Sequence, residues 1–599
     1  MRSKKHLLAA MSSLLPINLY TSEQVYSIEQ AWFAQGYDSF ALMQQAAWQM
    51  AQQIIQREAQ NYHYLTATLK QGVGLLTYSA RQPRASIWVG QGNNGGDGWL
   101  IAYYLQQAGW QVKVTTVGID NSEFNRGQDL TDAVKARRIA TDANVPHQRL
   151  EDQHDESFKS MNHLQVNVYI DALFGIGLDR APTGIYQQAI ALLNKVTSSY
   201  ANYNKPLVVA VDIPSGLVAS TGQVFEQLAV KADITLCLIA RKFGLHTKDG
   251  SDYAGMIIDI PLIPFKPVKP TATLVSVARS FSARHNNSYK GSYGHVLVIG
   301  GNQIDGSQGM GGAAILAAAS SMATGAGKIT VACHKAFHGA LLTSLPDAMT
   351  IDLHDQDGVA DLIKDANVIA IGMGLGRDDK AKALFVSYVQ AVIQQGCALV
   401  IDADGLYHLA TLYIEGHELV KKLKAYSLTQ QVCLTPHSGE AARLLDKQIS
   451  AVENDRLTTI KQCATIYGGN WVLKGAGSLV LEQLPNKPAQ IYVCAVGNAG
   501  MATAGMGDVL SGVTAGLLAQ QDLTESMRSL SQAVLIHGLA GDLLTNQSTK
   551  QLTYPTNNFL YHDASININN EVKALIGQRG LQAQDMPAAI RQIIELVTE

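Results

Sequence analysis

Residues 497–512 read GNAGMATAGMGDVLSG and run straight into apolar positions at helical spacing, Val509, Leu510, Val513, Leu517 and Leu518. Asp508 is the single charged residue of the stretch. A glycine-dense turn feeding a helix leaves several backbone N–H groups free at the helix start, and such a start attracts an anion. With no Cβ in the way, the backbone can approach a phosphate closely, whereas a lone carboxylate at the same lip would repel it unless it had another task. Accepting a proton from a hydroxyl beside the phosphate is such a task. The structural alternative is close packing of helix on sheet, with Asp508 serving the helix dipole.

Upstream of that stretch the chain alternates short apolar strands with helical patterns, as α/β domains do. KGSYGHVLVIGG (290–301) reads as a strand entering a glycine loop that runs to Gly312, followed by the tightly packed helix AAILAAASSMA. ITVAC from Ile329, NVIAIGMGLGR from Asn367, CALVIDADG from Cys397 and VCLTPHSGEA from Val432 continue the alternation. His437 stands where the last of these turns into a helix whose first turn holds Glu440. WVLKGAGSLVLE from Trp471 puts Lys474 at a strand end before a small-residue turn, which offers a point charge and free N–H groups to a phosphate, or else forms an ordinary tight hairpin. No GxxxxGK[ST] loop occurs among these turns.

PLIPFKPVKP (261–270) holds four of the sixteen prolines and is expected to be a stiff linker. The domains expected are 1–20 as a leader or disordered tail, 21–260, a linker over 261–280, and 281–599. Before the linker, Thr21 to Gln60 reads as a helical pair, and ASIWV (85–89) as a buried strand. GQGNNGGDG (90–98) then forms a glycine loop ahead of the helix WLIAYYLQQA. Gly90, Gly92 and Gly95 satisfy G-x-G-x-x-G, which alone also fits a plain dehydrogenase. Further strands begin at Gln111, Asn167, Pro206, Ala232 and Ala254. Two of them end in Asp171 and Asp212. In a parallel sheet those ends share one rim, so Asn94, Asp171, Asp212 and Ser215 can converge there and offer hard oxygen ligands to a cation, or act singly as turn and cap formers.

The chain of 599 residues exceeds one ordinary core. A net charge of -3 supplies no global field for nucleic acid or an anionic membrane, so anion binding must be local. Six cysteines without a CxxC pair suit a reducing compartment, and a cytoplasmic location is expected. The basic start followed by LLAAMSSLLP is short for a secretory leader.

NNGGDG (93–98), IDALFGIGL (170–178) and VDIPSG (211–216) resemble the NAD(P)HX epimerase domain over nearly the whole first half. The resemblance implies a Rossmann-like parallel sheet and a potassium ion held by Asn94, Asp171 and Ser215. It also implies that the hydrated cofactor is contacted by Asn93, Asn94, Gly95, Gly96 and Asp97, by Gly175, Ile176, Gly177, Leu178, Asp179, Arg180 and Ala181, and by Asp212, with Asp212 as the base and Asp171 second. The ordered set KGSYGHVLVIGG, GMGLG, LTPHSGE, KGAGS and GNAGMATAGMGDVLSG resembles the ADP/ATP-dependent NAD(P)HX dehydratases, a ribokinase-like α/β fold. By that resemblance Ala313, Gly374, His437 and Asp508 contact the hydrate, and Lys474, Gly475, Ala476, Gly477, Ser478 and Gly507 contact ADP or ATP, with Mg2+ implied by phosphoryl chemistry. Ala504 stands where such relatives commonly carry a glycine, so a positive φ there would disturb the anion hole.

Together the two resemblances imply repair of hydrated NADH and NADPH, with Asp212 and Asp508 as catalytic residues. Small-molecule partners are expected, with no nucleic acid or membrane partner, in a homo-oligomer. The rival readings are a sugar or vitamin-precursor kinase, which would release a phosphorylated product, and a first half reduced to a binding module.

Overall fold

The computed structural model describes residues 16–69, 82–119, 130–152, 166–200, 205–265, 268–304, 308–483, 488–545 and 576–599, the side chains of 61–69, 304 and 308 excepted. Two compact units divide it, one formed by Asn18–Thr271 and the other by Ala272–Glu599 together with the residues up to Ile17.

The first unit opens with helices α1 (Ser22–Phe33) and α2 (Ser39–Leu69). Thr21 and Gln24 form a capping box that fixes where α1 begins. Seven strands follow: β1 (Arg84–Val89), β2 (Gln111–Thr116), β3 (His147–Arg149), β4 (Val168–Ala172), β5 (Leu207–Val211), β6 (Ile234–Leu238) and β7 (Met256–Ile260). Every pairing is parallel, in the order β3-β2-β1-β4-β5-β6-β7. The order reverses between β1 and β4, and the carboxyl ends of those two strands flank the crevice where ligands bind in such sheets. Helix α3 (Asn93–Gln107) follows β1, α4 (Asp132–Asp142) follows β2, and α5 (Gly184–Ser198) follows β4.

Helix α3 begins at Asn93, so NNGGDG forms its first turns and not a loop ahead of it. Glycine is a poor helix former, yet here packing decides: a Cβ on Gly95 would lie 1.9 Å from the Gly90 carbonyl oxygen.

In the second unit the strands are β8 (Ala272–Val275), β9 (His295–Ile299), β10 (Lys328–Cys333), β11 (Met349–Asp352), β12 (Val368–Ile371), β13 (Ala398–Ile401), β14 (Val432–Leu434), β15 (Asn470–Leu473), β16 (Leu479–Glu482) and β17 (Gln490–Cys494). Their order is β8-β17-β16-β15-β14-β13-β12-β9-β10-β11. The pairs from β15 through β11 are parallel, while β16 runs antiparallel to both β15 and β17. Its helices include α6 (Gly311–Ala323), α7 (Asp379–Gln395), α8 (Asp404–Ile414), α9 (Ser438–Leu444), α10 (Arg456–Tyr467), α11 (Met506–Ala519), α12 (Leu530–Thr545) and α13 (Met586–Val597).

The Ala, Gly and Ser run of α6 packs on α11 with almost no side chain between them. A Cβ on Gly512 would fall 2.1 Å from the Ala317 carbonyl oxygen. Close packing therefore accounts for the small residues after Gly507, and Val509, Leu510, Val513 and Leu517 of α11 are buried, each contributing about 2 kcal/mol.

The stretch 261–280, expected as a stiff linker, contains the division between the units and gives residues to the core of each. Leu262 and Ile263 lie in the core of the first unit, Ala272–Val275 form β8, and Ala278 lies in the core of the second. Proline density opposes a central strand, but alternating apolar residues on either side of it still find cores to enter. Of the expected tail over 1–20, residues 1–15 lie outside the described residues, while Ile17–Leu19 are strand and Tyr20 bridges to Lys242. All six cysteines are buried and free. Among the described residues no helix is long and apolar enough to cross a membrane.

Candidate active sites

At the β1/β4 crevice Asp171 is the penultimate residue of β4 and is wholly buried. Its carboxylate accepts from Ser215 Oγ at 2.6 Å, Ser215 N at 2.8 Å and Leu173 N at 3.2 Å. Burial pushes its pKa up to about 6, against the lowering effect of the Ser215 and Leu173 bonds. Asn94, in the first turn of α3, donates from Nδ2 to the Phe174 carbonyl at 2.8 Å, which frees its Oδ1. Ser215 Oγ accepts from Phe174 N at 2.8 Å. Asn94 and Ser215 thus both bond to Phe174, and Ser215 in turn bonds to Asp171.

One carboxylate among neutral oxygens suits a large monovalent cation in the chemistry of its donors. No group of three or more His, Cys, Asp or Glu fit for a metal occurs among the described residues.

Asp212 follows β5 with φ 65, a left-handed conformation that non-glycine residues rarely take. Its Oδ1 accepts from Leu238 N at 2.9 Å and from the wholly buried Lys242 ammonium. Lys242 Nζ also donates to Leu238 O at 2.7 Å. Burial alone would lower the lysine pKa, but Asp212, Cys237 and Glu29 reverse this and raise it. Asp97, buried in α3, has its pKa held well above the usual range by burial, then by Asp212 and Glu29. Glu29 of α1 is raised to about 7 by burial and Asp212. The crevice therefore holds one lysine among several carboxylates whose environments differ, which is how acid and base roles separate.

Of the loop after β4, Gly175 comes close to Asn94, a Cβ there lying 3.4 Å from that of Asn94. Asp179 and Arg180 are exposed at its outer end.

In the second unit Asp508 sits in the first turn of α11, whose N-cap Gly505 has φ 87. Ala504 is absent from the positive-φ residues, so the left-handed position belongs to Gly505 and the alanine strains nothing. Asp402, at the end of β13 and 1% exposed, accepts from Lys474 Nζ at 3.0 Å and from Ser511 Oγ at 2.7 Å. A Cβ on Gly507 would lie 3.0 Å from Lys474 Nζ, so the glycine is what lets lysine and helix start meet. Burial, then Asp402, push the Asp508 pKa up to about 7 against the pull of Lys474. Glu440 is likewise raised to about 7 by burial, with its Oε2 3.8 Å from Lys474 Nζ.

His437 caps its own helix, Nδ1 accepting from Gly439 N at 2.9 Å while its backbone N donates to Glu440 at 2.8 Å. With Nδ1 accepting, Nε2 carries the proton of the neutral ring and is its only donor. Burial and Lys474 lower the imidazole pKa. Ala313 and Gly374 are adjacent, a Cβ on Gly374 (φ 67) falling 3.4 Å from that of Ala313. The KGAGS turn joins antiparallel β15 and β16, and Ser478 Oγ closes it by donating to Gly475 O at 3.0 Å. It is a hairpin, and it also carries Lys474 to the rim.

Lys242, Asp402 and Glu29 escaped the sequence reading. The available signals were a lysine just past a buried strand and an aspartate closing one in CALVIDADG. Neither identifies its partner, because each partner lies far along the chain.

A family model described as NAD(P)H-hydrate dehydratase matches residues 296–560, and one described as YjeF-related protein N-terminus matches residues 39–244. The bifunctional NAD(P)H-hydrate repair enzyme Nnr of Coxiella burnetii is 34% identical over 77% of this chain and 86% of its own length. Its counterpart in Vibrio cholerae is 31% identical over 97% of this chain and 99% of its own. The Escherichia coli enzyme of the same name is 31% identical over 77% of this chain and 81% of its own. With both units matched in order and the motif residues gathered at two sheet rims, the chain belongs to the family of bifunctional NAD(P)H-hydrate repair enzymes, an epimerase unit followed by a dehydratase unit.

Proposed function

We propose that the first unit interconverts the R and S forms of NADHX and NADPHX at the Asp212 crevice. The second unit then dehydrates the S form with ADP, or ATP, as phosphoryl donor. The observation that carries this is Asp508 at the N-terminus of α11, raised to about 7 beside the Lys474–Asp402 pair. A carboxylate with that pKa takes a proton at neutral pH.

Asp508 accepts the proton of the ring hydroxyl, whose oxygen attacks the terminal phosphoryl group. The N–H groups at Gly505–Gly507 and the Lys474 ammonium stabilise the charge that develops. Phosphate then leaves with the hydroxyl oxygen as the ring nitrogen supplies electrons, and the neighbouring ring carbon gives up a proton so that its C–H electron pair restores the ring double bond, giving NAD(P)H, phosphate and AMP from ADP. Lys474, Gly475, Ala476, Gly477, Ser478 and Gly507 hold the nucleotide. Ala313, Gly374 and His437 line the hydrate.

Mg2+, when bound with the nucleotide, would neutralise phosphate charge, with Asp508 the carboxylate nearest the anion-binding helix start. In the first unit Asn94, Asp171 and Ser215 would hold K+, whose charge would help fix the hydrate's polar groups. Asp212, positioned by Lys242 and Leu238 N, moves the proton at the epimerising centre.

The test is mixed-epimer NADHX given ADP or ATP, following recovery of reduced-nicotinamide absorbance in wild type and Asp508→Asn. Recovery in wild type alone is expected. Untouched hydrate with phosphorylation of a sugar or pyrimidine alcohol would replace this reading with the kinase.

A further inference from the structure

Beside the dehydratase site lies a cavity of about 250 Å³ whose wall includes Arg377, Tyr407, His437, Glu440 and Arg443. The reaction above gives its two arginines no part. Arg377 Cζ lies 5.0 Å from the centre of the Tyr407 ring and Arg443 Cζ 4.7 Å from it, so one phenol ring orders both guanidiniums. Asp404 holds Arg377 through Nε at 2.7 Å, and the terminal nitrogens of Arg377 have no hydrogen-bond partner among the described residues. Arg443 forms no ion pair among the described residues. The carboxylate in the wall, Glu440, accepts from the His437 backbone N–H at 2.8 Å and lies 3.8 Å from Lys474, which acts on it more strongly than Arg377 does.

Two ordered guanidiniums with spare N–H donors on one cavity match a phosphate group, which planar Arg forks bind two bonds at a time. The volume is several times the ~30 Å³ share of a water molecule, enough for a phosphoryl group with the sugar that bears it. His437 lines the same cavity, which joins it to the residues proposed to hold the hydrate. The dinucleotide extends from its reacting ring, so its phosphates must lie in an adjoining space.

We propose that this cavity binds a phosphate group of the hydrated dinucleotide, with Arg377 and Arg443 as its donors and Tyr407 as their platform. The proposal rests on the dehydratase reading. Two sources share the chemistry: the diphosphate present in both hydrates, and the 2′-phosphate carried by NADPHX alone.

The experiment is steady-state dehydration of S-NADHX and of S-NADPHX by the full chain at saturating ADP, in wild type, Arg443→Ala and Arg443→Lys. Arg443 is exposed, so its truncation leaves the core intact. In Arg443→Ala, KM is expected to rise about tenfold while kcat falls far less, the mark of a binding contact made equally in ground and transition states. Lysine restores part of the loss. An equal rise for both hydrates assigns the diphosphate, and a rise confined to S-NADPHX assigns the 2′-phosphate. KM unmoved for both overturns the proposal. A wild type that leaves S-NADHX untouched is a different failure, that of the dehydratase reading itself, and it shows before any variant is made.

Discussion

Lys474 Nζ stands 3.0 Å from Asp402 Oδ1, and the other carboxylate oxygen of Asp402 receives Ser511 from the helix that bears Asp508. One buried carboxylate thereby fixes the lysine and the anion-binding helix start together. Lys474→Met would strip Asp402 of its countercharge in a nearly dry site, at a cost on the order of 3 kcal/mol. Thermal unfolding of the second unit should move down by about 6–12 °C, and KM for ADP should rise. A variant with wild-type stability and wild-type KM would show that the pair is idle.

Asp508→Asn should lower dehydration about 10²–10⁴-fold while epimerisation proceeds normally, as separate assays on R and S hydrates would show.

The pH dependence follows from the Asp508 pKa of about 7, raised from 3.8. The base must be ionised, so kcat/KM for the S hydrate should climb with pH below about 7 and level above it. Stability runs the other way. The folded state holds the Asp508 proton more tightly than the unfolded one, so this group's contribution is fully present below pH 3.8 and lost as pH rises through about 7. At pH above 8, Asp508→Asn should therefore melt higher than wild type, by about 2–4 °C for each kcal/mol relieved. Equal melting at that pH would contradict the buried-charge account.

In the first unit, Ser215→Ala removes Oγ from Asp171 and from Phe174 N at once. Epimerisation should fall at least tenfold and lose its dependence on K+ over Na+, read as R-to-S interconversion at fixed ionic strength. Potassium dependence unchanged in the variant would remove Ser215 from the ion site.

Lys242→Met should slow epimerisation about 10²-fold, because Asp212 loses the ammonium that orients it. Dehydration of purified S hydrate should continue, which separates this loss from misfolding of the whole chain.

Ala504→Gly should give no gain in dehydratase rate, since Gly505 already supplies the left-handed residue. A marked gain would mean that the turn is shaped differently in the working enzyme.

The alternation of strands and helices, the strand ends that carry Asp171, Asp212, His437 and Lys474, and the glycine turns beside them were all legible in the chain. Those features are local: a strand of a few apolar residues, a turn that tolerates no Cβ, and a parallel sheet that brings every strand end to one rim. Which groups meet at that rim was settled by folding alone. Lys242 and Asp212 are 30 residues apart, and Asp402 and Ser511 are 109 apart. Burial of these charges sets the pKa values of Asp508 and Glu440, and no spacing in a sequence encodes burial. The same holds for the stretch 261–280, where proline density marks the division at Thr271/Ala272 but only the fold shows that Leu262 and Ile263 enter one core and Ala278 the other.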